Sequence, residues 1–351
     1  MKLLIVTQKV DKNDDILGFF HRWILEFAKY YEFITVIALQ VGEYDLPENV
    51  KVLSLGKEKG GSKISYIFNF YKYIWNERKN YDAVFVHMNP EYIVFGGLLW
   101  RILRKNIYLW YNHKKGGVRA KIAKMFSKKV FYTSTHAYMA RFKKSKIMPV
   151  GIDTEMFKQN KDIEKKKISI LSLGRISPVK RVDVLIDALI ELDKKGIDFE
   201  TSIYGNPTDK DSESYKNIRN SARVLEGKNK VIFHNGVSYQ ETPNIYNKAN
   251  IFVNLTPSGS FDKTIVEAMA CQTIVLTENE SLKDNVPSEL IFDGSKNDLV
   301  KKLEHTLLLP NEKIEQLGEF LRYRAVENHS LNRLVRDLRS ELYMQHKLCH
   351  L

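Results

Sequence analysis

Short apolar runs alternate with longer stretches of helical periodicity along most of the chain. Apolar runs of about four to six residues are typical of strands that are buried on both faces of a sheet. The first half contains five of them, at residues 3–6, 34–38, 83–87, 107–111 and 130–133. The second half contains five more, at residues 168–173, 201–204, 231–233, 251–254 and 274–276.

Helical patterns separate these runs, for example at residues 19–30, 64–75, 92–103 and 182–195. Strands that alternate with helices in this way predict an α/β protein with parallel sheets and helices on both faces. A break near residues 148–151 and a length of 351 residues favour two such domains, at 1–150 and 151–330. Residues 331–351 follow, with apolar positions at helical spacing, and we expect this helix to pack back on the first domain.

The stretch from Ser258 to Cys271 is the most informative of the second half. An apolar strand runs into a polar loop that opens a helix, with Glu267 predicted in the first helical turn. Such a loop directs backbone N–H groups and the positive end of the helix dipole at an anion. The residues expected to form this anion-binding loop are Gly259, Ser260, Phe261, Asp262, Lys263, Thr264 and Ile265. Because the Glu267 carboxylate could accept hydrogen bonds from a ribose, the pattern indicates a bound nucleotide.

A second candidate anion site lies about 85 residues earlier, where Gly174, Arg175 and Lys180 connect an apolar strand to a helix. Two cations at this position could clamp a diphosphate without a metal ion. An ordinary surface loop that happens to carry an arginine and a lysine is the alternative interpretation. The presence of both loops in one α/β domain favours a joint nucleotide site.

These motifs resemble those of the retaining glycosyltransferases of family 4, which have the two-domain GT-B fold. Three segments match in order: Pro149–Asp153 with Phe157 at the domain junction, Gly174-Arg175 with Lys180, and Glu267–Cys271. Three positions depart from the family pattern, the first being Val150 in place of an asparagine at the domain junction. Gly259 stands where the first glutamate of the E-x7-E motif is expected, and Gln272 replaces the final glycine.

The resemblance implies two Rossmann-like domains that face an interdomain cleft, with the acceptor side in the first and the nucleotide-sugar donor in the second. It implies a UDP or GDP sugar as donor, a glycan or lipid-linked glycan as acceptor, and neither cofactor nor metal. Arg175 and Lys180 would stabilise the leaving diphosphate, and His113 would lie near the donor sugar. Gly18 would approach the diphosphate, and the backbone at Asn235 and Val237 would read the base.

Positive charge is concentrated in the first domain. The chain has a net charge of +13, and residues 1–150 contain 26 Lys and Arg against 12 Asp and Glu. No acidic residue lies between Glu91 and Asp153. This asymmetry indicates an anionic partner, and a basic amphipathic helix at 119–129 suits a membrane surface. The candidate acceptor or membrane contacts are Lys114, Lys115, Arg119, Lys121, Lys124 and Lys128; a plain surface helix is the alternative.

No apolar run reaches the roughly 20 residues that span a bilayer, and the first apolar run is too short for a signal peptide. With only two cysteines, we expect a cytoplasmic protein, peripheral on the inner face of the cytoplasmic membrane. Asp209 and Asp211 are interpreted as a solvated loop rather than a metal site. Two alternatives remain: a GT-B phosphorylase or sugar-nucleotide epimerase, and a degenerate GT-B scaffold that binds an anionic membrane or nucleic acid. We do not expect nucleic acid as a partner of the transferase.

Overall fold

The computed structural model describes residues 1–165, 168–258 and 261–347, with side chains described up to Tyr343. The chain divides into two compact units. The first unit comprises Met1–Gly151 together with the segment that starts at Leu331, and the second comprises Ile152–Ser330. Each unit is an α/β structure built on a parallel sheet, so the predicted fold class is confirmed.

The sheet of the first unit has seven parallel strands in the order β3-β2-β1-β4-β5-β6-β7. The strands are β1 Lys2–Val10, β2 Phe33–Val41, β3 Val50–Ser54, β4 Ala83–His87, β5 Asn106–Trp110, β6 Lys129–Tyr132 and β7 Ser145–Ile147. The helices among them are α1 Gly18–Ala28, α2 Lys63–Asn76, α3 Glu91–Ile102 and α4 Val118–Phe126. The apolar runs did not predict β3 and β7, because these two edge strands carry polar residues and are only partly buried.

The sheet of the second unit has five parallel strands in the order β10-β9-β8-β11-β12. The strands are β8 Ser169–Leu173, β9 Glu200–Tyr204, β10 Val231–His234, β11 Ile251–Asn254 and β12 Ile274–Thr277. The helices are α5 Val182–Lys194, α6 Ser212–Gly227, α7 Thr242–Lys248, α8 Lys263–Ala270, α9 Lys296–Leu307 and α10 Asn311–His329. The strand order reverses between β8 and β11, which is where open α/β sheets bind their ligands.

Helix α11, Leu331–Lys347, completes the first unit. Its apolar side chains Leu334, Leu338 and Leu342 are buried in the same core cluster as Trp23 of α1. Its buried Glu341 forms ion pairs with Lys129 at 2.5 Å and with Lys146 at 2.6 Å, which tie the helix to β6 and β7. Within the part of the chain that the structure describes, no helix is long and apolar enough to cross a membrane.

Candidate functional site

Two loops of the second unit meet at the reversal of strand order. One follows β8 and carries Gly174, Arg175 and Lys180, and the other follows β11 and leads into α8 at Lys263. Since β8 and β11 are hydrogen-bonded neighbours, their carboxyl ends lie side by side. The structure therefore brings together the two loops that the sequence singled out.

A close backbone contact shapes the first loop. Gly174 has a φ of +133° and Gly205, directly after β9, has a φ of +148°. A Cβ atom at Gly205 would lie 2.0 Å from the carbonyl oxygen of Gly174. Only glycine fits there, so Gly205, which sequence reasoning missed, sets the path of the chain into Arg175.

Asp262 organises the second loop as the N-cap residue of α8. Its carboxylate accepts hydrogen bonds from the Thr264 backbone N–H at 3.3 Å, the Asn254 Nδ2 at 2.8 Å and the Thr256 Oγ1 at 3.0 Å. It also forms an ion pair with Lys180 of the first loop. Burial raises the pKa of Asp262, but Lys180 and the hydrogen bonds outweigh burial and hold the pKa well below its usual range. The carboxylate therefore stays ionised and fixes Lys180.

The two predicted clamp cations differ in their surroundings. Lys180 is partly buried and held by Asp262. Arg175 is exposed, and no hydrogen bond or ion pair joins it to any residue that the structure describes. The loop thus presents one cation that an ion pair holds in place and one that is exposed.

Glu267 lies in the second turn of α8, not in the first, because the helix already begins at Lys263. Its side chain is buried and accepts a hydrogen bond from the Tyr246 Oη at 3.1 Å. Burial raises the pKa of Glu267 to about 7, although Lys263 and Tyr246 oppose this shift. Burial likewise lowers the pKa of Lys263, one helical turn earlier. The buried carboxyl group therefore loses its proton less readily than an exposed glutamate does.

The structure at the C-terminal end of α8 shows how Gln272 takes the place of the glycine in the family pattern. Gln272 has a φ of +57°, the left-handed conformation that follows many helices and that glycine adopts most readily. Lys165 donates to the carbonyl oxygens of Cys271 at 3.1 Å and of Gln272 at 2.8 Å. Burial lowers the pKa of Lys165 to about 8. A lysine therefore stabilises the end of a helix whose glycine position is occupied by glutamine.

The other donor-side candidates have varied environments. Gly259 and Ser260 lie outside the described residues. The ring centroid of Phe261 is 5.3 Å from that of His329, and the side chain of Ile265 is fully buried in the core. Asn235 is exposed and Val237 half-buried in the loop after β10. Strand β10 ends at His234, whose ring stacks on that of Tyr204 with centroids 4.2 Å apart.

Two candidates lie in the first unit. Gly18 is buried as the first residue of α1, and the backbone N–H of that glycine bonds to the Asp14 carbonyl oxygen at 3.1 Å. His113 is exposed in the loop after β5. Its ring centroid lies 5.1 Å from that of Tyr111, and its carbonyl oxygen accepts from the Tyr138 N–H at 2.9 Å. Both residues follow strands of the sheet, as the sequence predicted.

The structure corrects one prediction about the basic segment at residues 119–129. The sequence placed Lys121, Lys124 and Lys128 on one helical face, but α4 ends at Phe126 and Lys128 lies beyond it. The helix ends there because Ser127 leaves the helical conformation, with a ψ of 138°. Lys114, Lys115 and Lys121 are exposed, as is Arg119, which pairs with Glu91 at 3.0 Å. Lys124 lies 3.9 Å from the ring centroid of Phe142.

Sequence reasoning also missed an ion pair beside the first loop. Arg181 has a φ of +48° and contacts the buried Glu278 at 2.5 Å, while its second amino group donates to the Gly294 carbonyl oxygen at 2.8 Å. Burial raises the pKa of Glu278, and Arg181 opposes the shift. The sequence could have singled out Arg181, because it directly follows Lys180.

Across residues 1–165, 168–258 and 261–343, no cluster of three His, Cys, Asp or Glu side chains could hold a metal ion.

Part of the chain matches the sequences of known proteins. Residues 153–322, a little under half of the chain, match the family model of glycosyl transferases group 1. A GDP-Man:Man(3)GlcNAc(2)-PP-Dol alpha-1,2-mannosyltransferase from Caenorhabditis elegans is 29% identical over 144 residues. That alignment covers 40% of this chain and only 28% of the relative. These matches support a glycosyltransferase.

Solved structures resemble the whole chain. HepE from Anabaena, in complex with UDP and glucose, gives a TM-score of 0.78 at 16% identity, over 98% of this chain and 99% of HepE. Sucrose-phosphate synthase from Thermosynechococcus elongatus gives 0.77 at 16% identity, over 99% and 100% of the two chains. At this level of identity the likeness establishes the fold, which is the two-domain α/β architecture of GT-B proteins.

Proposed function

We propose that the protein is a retaining glycosyltransferase that uses a nucleotide-diphosphate sugar of the UDP or GDP type. The observation that carries the proposal is the meeting of two βα loops at one switch point, with Arg175 and Lys180 on the first and the N-terminus of α8 on the second. HepE, a structural neighbour, was solved with UDP and glucose. We infer that the two loops of this chain bind a nucleoside diphosphate.

In this proposal, stabilisation of the negative charge on the departing diphosphate contributes most to catalysis. As the bond between the anomeric carbon and the phosphate oxygen breaks, negative charge accumulates on the diphosphate. Arg175 and Lys180 would stabilise it, with the N–H groups at the start of α8 adding a further contribution. Charge-assisted hydrogen bonds of this type contribute about 1.5–3 kcal/mol each. The acceptor hydroxyl would attack on the face from which the diphosphate departs, and its proton would pass to the leaving phosphate oxygen.

We assign Glu267 to the nucleotide ribose and the loop 259–265 to the sugar and phosphates. His113 would lie near the sugar, Gly18 near the diphosphate, and Asn235 and Val237 near the base. Because two cations serve the diphosphate, the proposed reaction needs no metal ion and should persist in EDTA. A glycan or lipid-linked glycan is the proposed acceptor, since the first unit is strongly basic and the nematode relative acts on a dolichyl-diphosphate glycan.

A thermal-shift panel of UDP, GDP, ADP and CMP, with and without EDTA, tests the proposal. We expect one nucleoside diphosphate to raise the melting temperature equally in both conditions and Arg175→Ala to abolish that rise. Arg223→Ala removes an equally exposed arginine of α6 and should keep it. Arg175→Ala should also lower turnover by at least 100-fold with no change in melting temperature of the unliganded protein. Equal turnover of Arg175→Ala and the wild type would overturn the assignment.

A further inference from the structure

Exposed hydrophobic side chains are concentrated on one part of the first unit. Of nineteen large hydrophobic residues exposed in the described part of the chain, ten lie between Ile64 and Met125, a segment of 62 residues. Globular proteins normally scatter such residues singly, and a cluster marks an interaction surface. None of these ten exposed hydrophobic residues has a role in the proposed active site.

The cluster forms stripes along three helices. On α2, Ile64, Phe68, Tyr71 and Trp75 recur at spacings of four, three and four residues, so they share one helical face. Phe95, Leu98 and Ile102 form a similar stripe on α3, and Val118 and Met125 lie seven residues apart on α4. Phe68 is 70% exposed and Leu98 is 63% exposed.

Two glycines bring the three helices together. A Cβ atom at Gly96 would lie 3.1 Å from the ring of Phe70 on α2, and one at Gly97 would lie 2.8 Å from the ring of Phe126 on α4. Helices α2 and α4 can therefore pack closely on the two sides of α3. The Tyr71 hydroxyl also donates to the Phe95 carbonyl oxygen at 2.9 Å. The stripes thus belong to a single surface, which we call the α2–α4 face.

Cations surround these apolar side chains. Residues 63–128 contain thirteen Lys and Arg but only three acidic residues, Glu77, Asp82 and Glu91. Glu77 is paired with Lys51 and Glu91 with Arg119, so two of the three negative charges are compensated. Arg78 lies over the ring of Trp75 and Arg101 over that of Phe126. Apolar side chains that project between cations suit an interface of hydrocarbon and anionic headgroups.

A cavity opens beside the stripes, between α2 and α3. Its volume is about 430 Å³, and its lining is largely apolar, with Leu39, Leu55, Ile67, Phe70 and Phe95 among the side chains. Ile67 and Phe95 belong to both the cavity and the exposed cluster. An acyl or isoprenoid chain that leaves the plane of a bilayer could enter here.

We propose that the α2–α4 face docks on the surface of a bilayer that contains anionic lipids, with its apolar side chains inserted among the acyl chains. This inference stands independently of the proposed transferase activity. Charge complementarity favours a bilayer over a second copy of the chain, because two copies of this basic face would repel each other. Each lysine or arginine near an anionic surface adds to the attraction, which salt screens.

Vesicle flotation of the full chain tests the proposal. Vesicles of phosphatidylcholine with 30 mol% phosphatidylglycerol should carry the protein, and binding should fall at least tenfold without the anionic lipid. The double variant Phe68→Asp, Leu98→Asp should lose at least tenfold in binding. Its matched control, Phe320→Asp, Tyr323→Asp, changes two exposed aromatic residues of α10 in the second unit and should bind as the wild type does.

Tryptophan fluorescence gives a second readout, which can be recorded on the wild-type protein. Of the four tryptophans, Trp23, Trp100 and Trp110 are fully buried, and Trp75 is 49% exposed within the α2 stripe. Vesicles of brominated lipid should quench the emission of Trp75, and Trp75→Phe should remove the quenchable signal. Absence of flotation and of quenching would overturn the proposal, as would a dimer in solution whose dissociation is caused by Phe68→Asp, Leu98→Asp.

Discussion

Lys180 and Asp262 are 82 residues apart in sequence and form an ion pair that joins the two loops at the switch point of the second sheet. Asp262 is also the N-cap residue of α8 and the acceptor for Asn254 and Thr256. One carboxylate therefore starts the helix, orders the loop before it and holds a cation of the opposite loop in place.

Asp262→Asn should lower the free energy of unfolding by about 1–3 kcal/mol, because the charge that pairs with Lys180 is lost while the cap geometry remains. The pKa of Asp262 is lowered in the folded protein, so its contribution is present above the ordinary carboxyl pKa of 3.8 and disappears as the pH falls below it. Urea unfolding at pH 7 and at acidic pH measures both effects. Asp187→Asn, at an exposed position of α5, should change stability by less than about 0.5 kcal/mol. An equal decrease in the free energy of unfolding for both variants at pH 7 would contradict the prediction.

Gly205→Ala should destabilise the second unit by more than about 3 kcal/mol, since its Cβ would meet the Gly174 carbonyl oxygen at 2.0 Å and its φ is positive. Nucleotide binding should weaken in parallel, because the same contact shapes the Arg175 loop. Gly227→Ala is the control: it has open space around the added carbon and lies at the end of α6. Thermal unfolding should show this control unchanged or more stable, and a loss of stability equal to that of Gly205→Ala would count against the argument.

Gln272→Gly should stabilise the protein by about 0.5–1 kcal/mol, because a side chain in the left-handed conformation is strained and glycine is not. Asn229→Gly, at a φ of +56°, should gain less, since asparagine tolerates this conformation. Denaturant titration of the two variants measures the difference, and a larger gain at Asn229 would disprove this explanation.

The free energy of unfolding should depend on pH through the protonation of Glu267. Its pKa is raised in the folded protein by burial, so between pH 4.5 and about 7 the folded state binds more protons than the unfolded state. Stability should therefore fall as the pH rises through this window, on the order of 2 kcal/mol relative to Glu267→Gln. Tyr246→Phe removes a hydrogen bond to the carboxylate, so the free energy of unfolding should fall more steeply as the pH rises. A pH-independent difference between the wild type and Glu267→Gln would rule out the raised pKa.

The sequence predicted ten of the twelve strands that the structure describes and the positions of two polar loops, because a buried parallel strand followed by a polar turn is a strong local signal. It placed Glu267 in the first turn of α8 instead of the second, because several serine, aspartate and threonine residues of the loop could each have capped the helix. Partners such as Asn254 for Asp262, or Gly205 for Gly174, depend on which strands lie side by side. Local periodicity does not encode that order, so these contacts became visible only in the structure.

The path of the chain has a consequence for its synthesis. The second unit is one continuous segment, Ile152–Ser330, whereas the first needs α11, which is made after the second unit. When a growing chain has reached Ser330, every residue of the second unit is available to fold, but Trp23 and its core neighbours still lack the cover of Leu334 and Leu338. The unit translated first is therefore finished second, and during that interval the nascent chain presents an open apolar surface to chaperones.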